Sequence, residues 1–496
     1  MIYRLSQAVR NRIMQQPHRV ANYLMPKYVK NLAFMEIKQL LTFDDVLLVP
    51  RVSRVSSRKD ADTSTYLTDK LKIPLPIVSA NMDTVTEAVM AITLARMGGV
   101  GVIHRFNTIE DEANEITKVK REQNVVIDKP YSVPPDYTLK QLRELIDEKK
   151  VTSFPVVSGR KVVGIITKRD FQFETDENKS VGEMMTRDVV TAKKGVSSED
   201  AKKILLLNKI EKLPLVDKEG ALCGMITSKD ITIAESYGSS AKDRQGRLIV
   251  GGSIGIGHDY LERTGALLKA GADFIVVDVA NGYLEKTAEV VKTVKAKFSV
   301  EVIAGNVATK EGVVNLKKAG ADCVKIGIGP GGACLTRPVA GVGYPQLSAI
   351  MECAGHGVPV MADGGIIKSA DLSKAIAAGA GTVMIGGLLA GTDESPGSIV
   401  TKSNVNYKFY RGMASINAFA DKSSKMQDLV NIEEYTPEGT ETLIPYKGSA
   451  TKIINNLIGG LRSAMTYLNA ENLQEFQKNA SFVGLTDAGK KESKYV

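Results

Sequence analysis

The 496 residues are 43% apolar, enough for two or three domains with large cores, and include 44 glycines but no tryptophan. Four cysteines without a CxxC pair exclude a disulfide scaffold and a zinc site, and no apolar run reaches the roughly 20 residues of a membrane span. The net charge of +9 does not mark nucleic acid as the main ligand: Arg4, Arg10, Arg12, Arg19, Lys27 and Lys30 supply six of those charges, and no basic stripe with interleaved aromatics follows.

Residues 1–34 contain no acid and read as a basic extension. The expectation is an extension without an address, or an upstream start with Met35 as the usual first residue, in preference to an organelle transit peptide. A cytoplasmic or organellar location follows. At the other end, Ser493-Lys494-Tyr495-Val496 matches no familiar retention or peroxisomal signal.

Apolar runs at 73–79 and 100–103 are followed, after a long interruption, by six more at 248–250, 274–277, 300–303, 324–326, 358–361 and 382–385. Helix-like stretches such as 284–296 and 310–319 separate them. Continuous apolar strands alternating with helices predict a parallel sheet covered on both faces. Eight such strands predict an α/β chain folded as a (β/α)8 barrel, with its chemistry on the loops after the strands. The expected boundaries are 35–123 and 235–485 for the two parts of the barrel, and 486–496 for a tail.

The interruption, 124–234, contains a repeat. Ser153-Phe154-Pro155-Val156-Val157 leads to Gly164-Ile165-Ile166-Thr167-Lys168-Arg169-Asp170, and later Lys212-Leu213-Pro214-Leu215-Val216 leads to Gly224-Met225-Ile226-Thr227-Ser228-Lys229-Asp230. Two copies of one unit predict a small inserted domain. The GxxTxxD ending resembles the tandem CBS (Bateman) pair, which implies ATP or GTP held through Thr167, Asp170, Thr227 and Asp230. A purely structural pair is the alternative.

After the run 324–326 comes Gly327-Ile328-Gly329-Pro330 and then Gly331-Gly332-Ala333-Cys334-Leu335-Thr336-Arg337. A thiol on a glycine-rich loop at the end of a buried strand is a candidate nucleophile. Cys223, Cys323 and Cys353 lie inside apolar segments and read as core. Ala362-Asp363-Gly364-Gly365 ends the seventh strand and Gly386-Gly387 follows the eighth, where barrels place a phosphate against glycine amides. Asp363 suits a ribose diol; a helix N-cap is the bland alternative.

From Leu41-Thr42-Phe43-Asp44-Asp45-Val46-Leu47-Leu48 to about residue 485 the chain resembles the IMP dehydrogenase/GMP reductase family. The resemblance implies that Cys334 attacks purine C2, that Asp363 binds the ribose, and that Gly365, Gly386, Gly387 and Tyr410 bind the phosphate. It places Met413 beside the base and Met82, Gly364, Gly412 and Ala414 against the nucleotide. Carbonyls around Gly329, Gly331 and Cys334 would hold potassium. The chain departs from the family at Gly332, where most members carry a phosphate-binding Ser, and at Leu335, where Thr is usual.

Several motifs resemble the reductase branch. Asp278-Val279-Ala280-Asn281-Gly282-Tyr283 is similar to its nicotinamide loop, and Ala80-Asn81-Met82-Asp83, Gly343-Tyr344-Pro345-Gln346-Leu347-Ser348-Ala349, Glu352-Cys353-Ala354 and Gly459-Gly460-Leu461-Arg462-Ser463 agree. Dehydrogenases of the family activate water with an Arg-Tyr pair on a flap, and the corresponding Asn417-Ala418-Phe419-Ala420-Asp421-Lys422 contains neither residue. Thr336 and Glu438 fit the reductase's proton relay. Thr392-Asp393-Glu394-Ser395-Pro396-Gly397, Tyr410-Arg411-Gly412-Met413 and the CBS pair itself lean towards the dehydrogenase. The expectation is an NADPH-dependent GMP reductase yielding IMP and ammonia, with the cofactor near Asp278, Val279, Ala280, Asn281, Gly282 and Asn306. The resemblance further implies a homotetramer or octamer regulated by nucleotides. An IMP dehydrogenase using NAD is the runner-up, and an inactive nucleotide sensor the third reading.

Overall fold

Eight parallel strands close into a barrel in the computed structural model: β1 Ile77–Ser79, β2 Val100–Ile103, β3 Val250–Ile254, β4 Phe274–Asp278, β5 Glu301–Val307, β6 Cys323–Ile326, β7 Val360–Asp363 and β8 Thr382–Ile385. The structure describes residues 37–122, 126–127, 130–149, 151–228, 231, 239–418, 420–421 and 436–492. Each strand pairs with the next in sequence, and β8 returns to β1 through Val383 opposite Ile77. The predicted (β/α)8 architecture is therefore the observed one.

Strand periodicity builds two layers of core. Along β4, Phe274 and Val276 face the barrel interior with Ile303, Cys323, Met361 and Met384. Ile275 and Val277 pack outward with Val290, Val291 and Val294. Those three valines lie on α4, Glu285–Lys297; the other outer helices are α1 Ala88–Met97, α2 Ile109–Arg121, α3 Tyr260–Ala270, α5 Lys310–Ala319, α6 Gln346–Cys353, α7 Ser369–Ala377 and α8 Ala450–Tyr467. Gly320 ends α5 in the left-handed region (φ +102°), returning its N–H to the carbonyls of Leu316 and Lys317.

The apolar run 73–79 is two elements. Leu71–Ile73 pairs antiparallel with Thr65–Thr68, and β1 begins only at Ile77. Pro74 and Pro76 separate them, because a proline has no N–H for a sheet ladder.

Between α2 and β3 lies the inserted segment, built on the hairpins Ser153–Ser158/Lys161–Thr167 and Lys212–Val216/Leu222–Thr227. Its repeat is visible in the two cores. Phe154, Val156, Ile166 and Phe171 fill one, and the equivalent Leu213, Leu215, Ile226 and Ile231 fill the other. The units meet where Leu222 N–H donates to the Arg160 carbonyl at 2.9 Å. Both edges of the insertion reach one residue near the end of α1: Arg96 pairs with Glu122 at 2.8 Å, and its carbonyl accepts from Ser240 Oγ at 3.1 Å.

Beyond β8, strands Val400–Lys402, Val405–Arg411 and Glu441–Pro445 form a small antiparallel sheet. Val46–Leu48 pairs with Phe482–Gly484, and the helix Asp487–Glu492 places Lys490 Nζ 2.5 Å from Asp45 Oδ1. The segment expected to be a tail from 486 is thus folded through residue 492; residues 1–36 and 493–496 lie outside the described residues. Among the described residues, no helix is long and apolar enough to cross a membrane.

Candidate active site

The inward period of the barrel strands sets the floor of the site. Two residues beyond interior Val276, Cys323 and Met361 come Asp278, Lys325 and Asp363, all at the C-terminal mouth. Lys325 Nζ donates to Asp278 Oδ1 at 2.7 Å, to Asp363 Oδ2 at 2.6 Å and to Asn306 Oδ1. Burial alone would push the Lys325 ammonium down, but Asp278 and Asp363 together hold it above the ordinary lysine value. Burial likewise pushes Asp278 up; Lys325, then Arg105 and an Asn81 hydrogen bond, more than offset it and leave that carboxyl below its usual range. Asn306 Nδ2 donates to the Gly327 carbonyl at 2.8 Å and to Asp363 Oδ2 at 3.0 Å. Asp363 is therefore not a helix cap.

Above this floor stands the Cys334 loop. Cys334 N–H donates to the Gly331 carbonyl at 3.0 Å, and Thr336 opens a short helix, Thr336–Ala340. The Cys334 thiol donates to Thr336 Oγ1 at 3.2 Å, and the Thr336 hydroxyl donates to Glu438 Oε2 at 2.6 Å. Glu438 is held there by backbone: Leu335 N–H donates to its carbonyl at 2.6 Å, and Thr440 N–H to the Ala333 carbonyl at 3.0 Å. Chain segments a hundred residues apart thus bring a thiol, a hydroxyl and a carboxylate into one line.

These groups open on a cavity of about 420 Å³, within the ~300–1,000 Å³ usual for small-molecule sites. Its lining includes the predicted Met82, Asp278, Val279, Ala280, Asn306, Gly329, Gly331, Asp363, Tyr410, Gly412, Met413 and Ala414 with Cys334, Thr336 and Glu438. Burial, and then Asp363, push the Tyr410 hydroxyl up to about 12, so it remains a donor at neutral pH. The same hydroxyl oxygen lies 3.4 Å from where a Cβ on Gly387 would stand and 3.8 Å from that of Gly386. Gly364 (φ +90°) and Gly365 (φ +80°) make the left-handed turn out of β7, and a Cβ on Gly364 would lie 2.9 Å from Gly331 N.

Asn281 and Gly282 are placed outside the lining. Asn281 Oδ1 accepts from Tyr283 N–H at 3.1 Å, and Gly282 N–H donates to the Asn306 carbonyl at 2.6 Å. Both shape the loop that carries Asp278 to Ala280. In the segment after Tyr410, Arg411 reaches Asp83 at 2.5 Å and Asp421 at 2.7 Å, while Phe419 and Lys422 lie outside the described residues.

Sequence reasoning missed Lys325, Arg105 and Gln346. Lys325 was hidden in an apolar run, although its spacing from Cys323 places it inside the barrel. Gln346 Nε2 ties the ends of β6 and β7 together through the Ile326 carbonyl (2.9 Å) and the Asp363 carbonyl (3.0 Å); nothing local in the sequence announces that bridge.

In the insertion, Thr167 and Asp170 line a second cavity of about 350 Å³. Their polar groups also bond to each other: Thr167 N–H and Oγ1–H donate to Asp170 Oδ2 at 2.7 and 2.8 Å, capping a short helix. Thr227 is buried at the equivalent place in the second unit, and Asp230 lies outside the described residues.

Residues 40–495 match the family model described as the IMP dehydrogenase / GMP reductase domain. The chain is 47% identical over 469 residues to inosine-5'-monophosphate dehydrogenase of Nitrosopumilus maritimus, covering 92% of this chain and 98% of that one. With the same-named protein of Aquifex aeolicus it shares 48% identity, covering 92% and 95%. Among solved structures it is similar to a cysteine-to-alanine variant of GMP reductase from Trypanosoma brucei in complex with guanosine 5'-monophosphate, with a TM-score of 0.87, 39% identity, and 93% and 98% of the two chains covered.

Proposed function

The chain belongs to the IMP dehydrogenase / GMP reductase family of oxidoreductases, and from that premise we propose that it is a GMP reductase, converting GMP to IMP and ammonia. The observation that carries the reading is the line Cys334 Sγ, Thr336 Oγ1, Glu438 Oε2, at 3.2 and 2.6 Å. A thiol whose proton can pass along a hydroxyl to a carboxylate becomes a nucleophile, and the same groups can return that proton to a leaving amine.

The steps balance. The thiolate adds to C2 and N3 takes up a proton from solvent. The C2 amino group then leaves as ammonia, carrying the proton that the thiol surrendered, with Thr336 and Glu438 delivering it. A reduced nicotinamide held beside Asp278, Val279 and Ala280 would supply a hydride to C2. The C2–S bond breaks to release IMP, and the proton that leaves N3 as it does so restores the thiol. Asp363 and Tyr410 would orient the ribose and phosphate, with the amides of Gly365, Gly386 and Gly387 around the phosphate. Met82, Gly412, Met413 and Ala414 would pack along the nucleotide.

The family uses nicotinamide cofactors. The wall formed by Asp278, Val279 and Ala280, with Phe106 and Arg105 beside it, lines the same cavity as Cys334, which supports a nicotinamide there; NADPH is the form proposed. The Gly329, Gly331 and Cys334 carbonyls are neutral oxygens suited to a monovalent cation, and potassium is the one proposed. The insertion is read as a tandem CBS pair, with ATP or GTP in the cleft lined by Thr167 and Asp170. A homotetramer or octamer, in the cytoplasm or an organelle, completes the proposal.

A second reading, IMP dehydrogenase acting with NAD, is favoured by the 47–48% identity to proteins of that name. Against it, the flap segment from Asn417 to Lys422 lacks the Arg-Tyr pair that its water step would need. One assay decides. GMP with NADPH should show loss of reduced cofactor, and IMP with NAD should show none. Turnover in the second mixture alone overturns the reductase reading.

A further inference from the structure

Lys325 takes no part in the Cys334–Thr336–Glu438 relay. An ammonium only 2% exposed is costly unless its charge and its three protons are all met. All three are spent, on Asp278, Asn306 and Asp363. No proton is left for a ligand, and the two carboxylates oppose its loss, so Lys325 is not an acid in waiting. Its effect is on the groups that it holds. Asp363 Oδ2 is occupied by both Lys325 and Asn306, which leaves Oδ1 as the face offered to the cavity. Asp278 is fixed through Oδ1 at the root of the loop whose Val279 and Ala280 line the same cavity.

We propose that Lys325 is a positioning residue: one ammonium fixes the carboxylate that would meet the ribose relative to the carboxylate beside the cofactor, aligning both halves of the cavity before either ligand arrives. This rests on the reading of the cavity as a purine-nucleotide site.

The test is binding of GMP and of IMP by calorimetric titration without cofactor, alongside thermal melting. In Lys325→Met both nucleotides should bind roughly tenfold or more weakly, the loss of one charge-assisted hydrogen bond to Asp363. That variant leaves two half-buried carboxylates without their shared ammonium, which can prevent folding. The double variant Lys325→Met/Asp278→Asn removes one of them, and its melt should return towards wild type while both nucleotides stay weakly bound. Recovered stability without recovered affinity is an outcome that a merely structural lysine would not give. Wild-type affinity in whichever of the two variants folds overturns the proposal. Failure of the unaltered chain to bind either nucleotide would instead overturn the reading of the cavity.

Discussion

Thr336 has one hydroxyl proton, and Glu438 receives it while the Cys334 thiol donates to the same oxygen. Valine matches threonine in shape but cannot pass a proton. Thr336→Val should therefore lower kcat with GMP by about a hundredfold or more, with IMP affinity by titration unchanged; an equal loss in affinity would make Thr336 a binding group instead. Cys334→Ala should abolish turnover and keep GMP binding, which the same titration reads. Cys334 is legible in the sequence because glycines surround it, and Asp363 because two glycines follow it. Lys325 is not, because a cation between Val324 and Ile326 reads as an irregularity in an apolar strand until the barrel supplies an interior.

At the scale of elements, the barrel strands are legible because both their faces are buried, so each is a short uninterrupted apolar run. The sheet at 400–445 escapes that signal: Val400, Val405, Phe409 and Leu443 stay exposed, and charged and polar residues separate them. Its third strand, Glu441–Pro445, also lies far in sequence from its partner Val405–Arg411, so no local pattern joins those two. The turn after β7 carries the clearest prediction. Gly364 sits at φ +90° with Gly331 N where a methyl would go, so Gly364→Ala should cost ~1–2 kcal/mol in backbone strain and push the Cys334 loop aside. Thermal melting should show a lower midpoint, and titration a weaker nucleotide complex. Gly332 has open space at its Cβ position and no positive φ; Gly332→Ser should melt with wild type, and a matching loss at both sites would refute the geometric argument.

For the whole molecule, both edges of the insertion meet at Arg96, where α1 ends and the chain turns into β2. That side of the barrel is opposite the loops that carry Cys334 and Asp363. Replacing residues 123–239 with a short Gly-Ser linker should leave a folded barrel whose turnover stays within about twofold, since none of the described residues that line the cavity is removed. Any response of activity or oligomer size to ATP or GTP should vanish with it; loss of turnover on excision would show that the barrel needs the insertion. The pairing of 46–48 with 482–484 has a different consequence. Strand pairing closes the stretch from Val46 to Gly484 on itself, so the order in which the eight strands are strung is a convention of where the thread was cut. Joining the seam and opening the thread inside the insertion would give new termini without removing a single strand from the barrel.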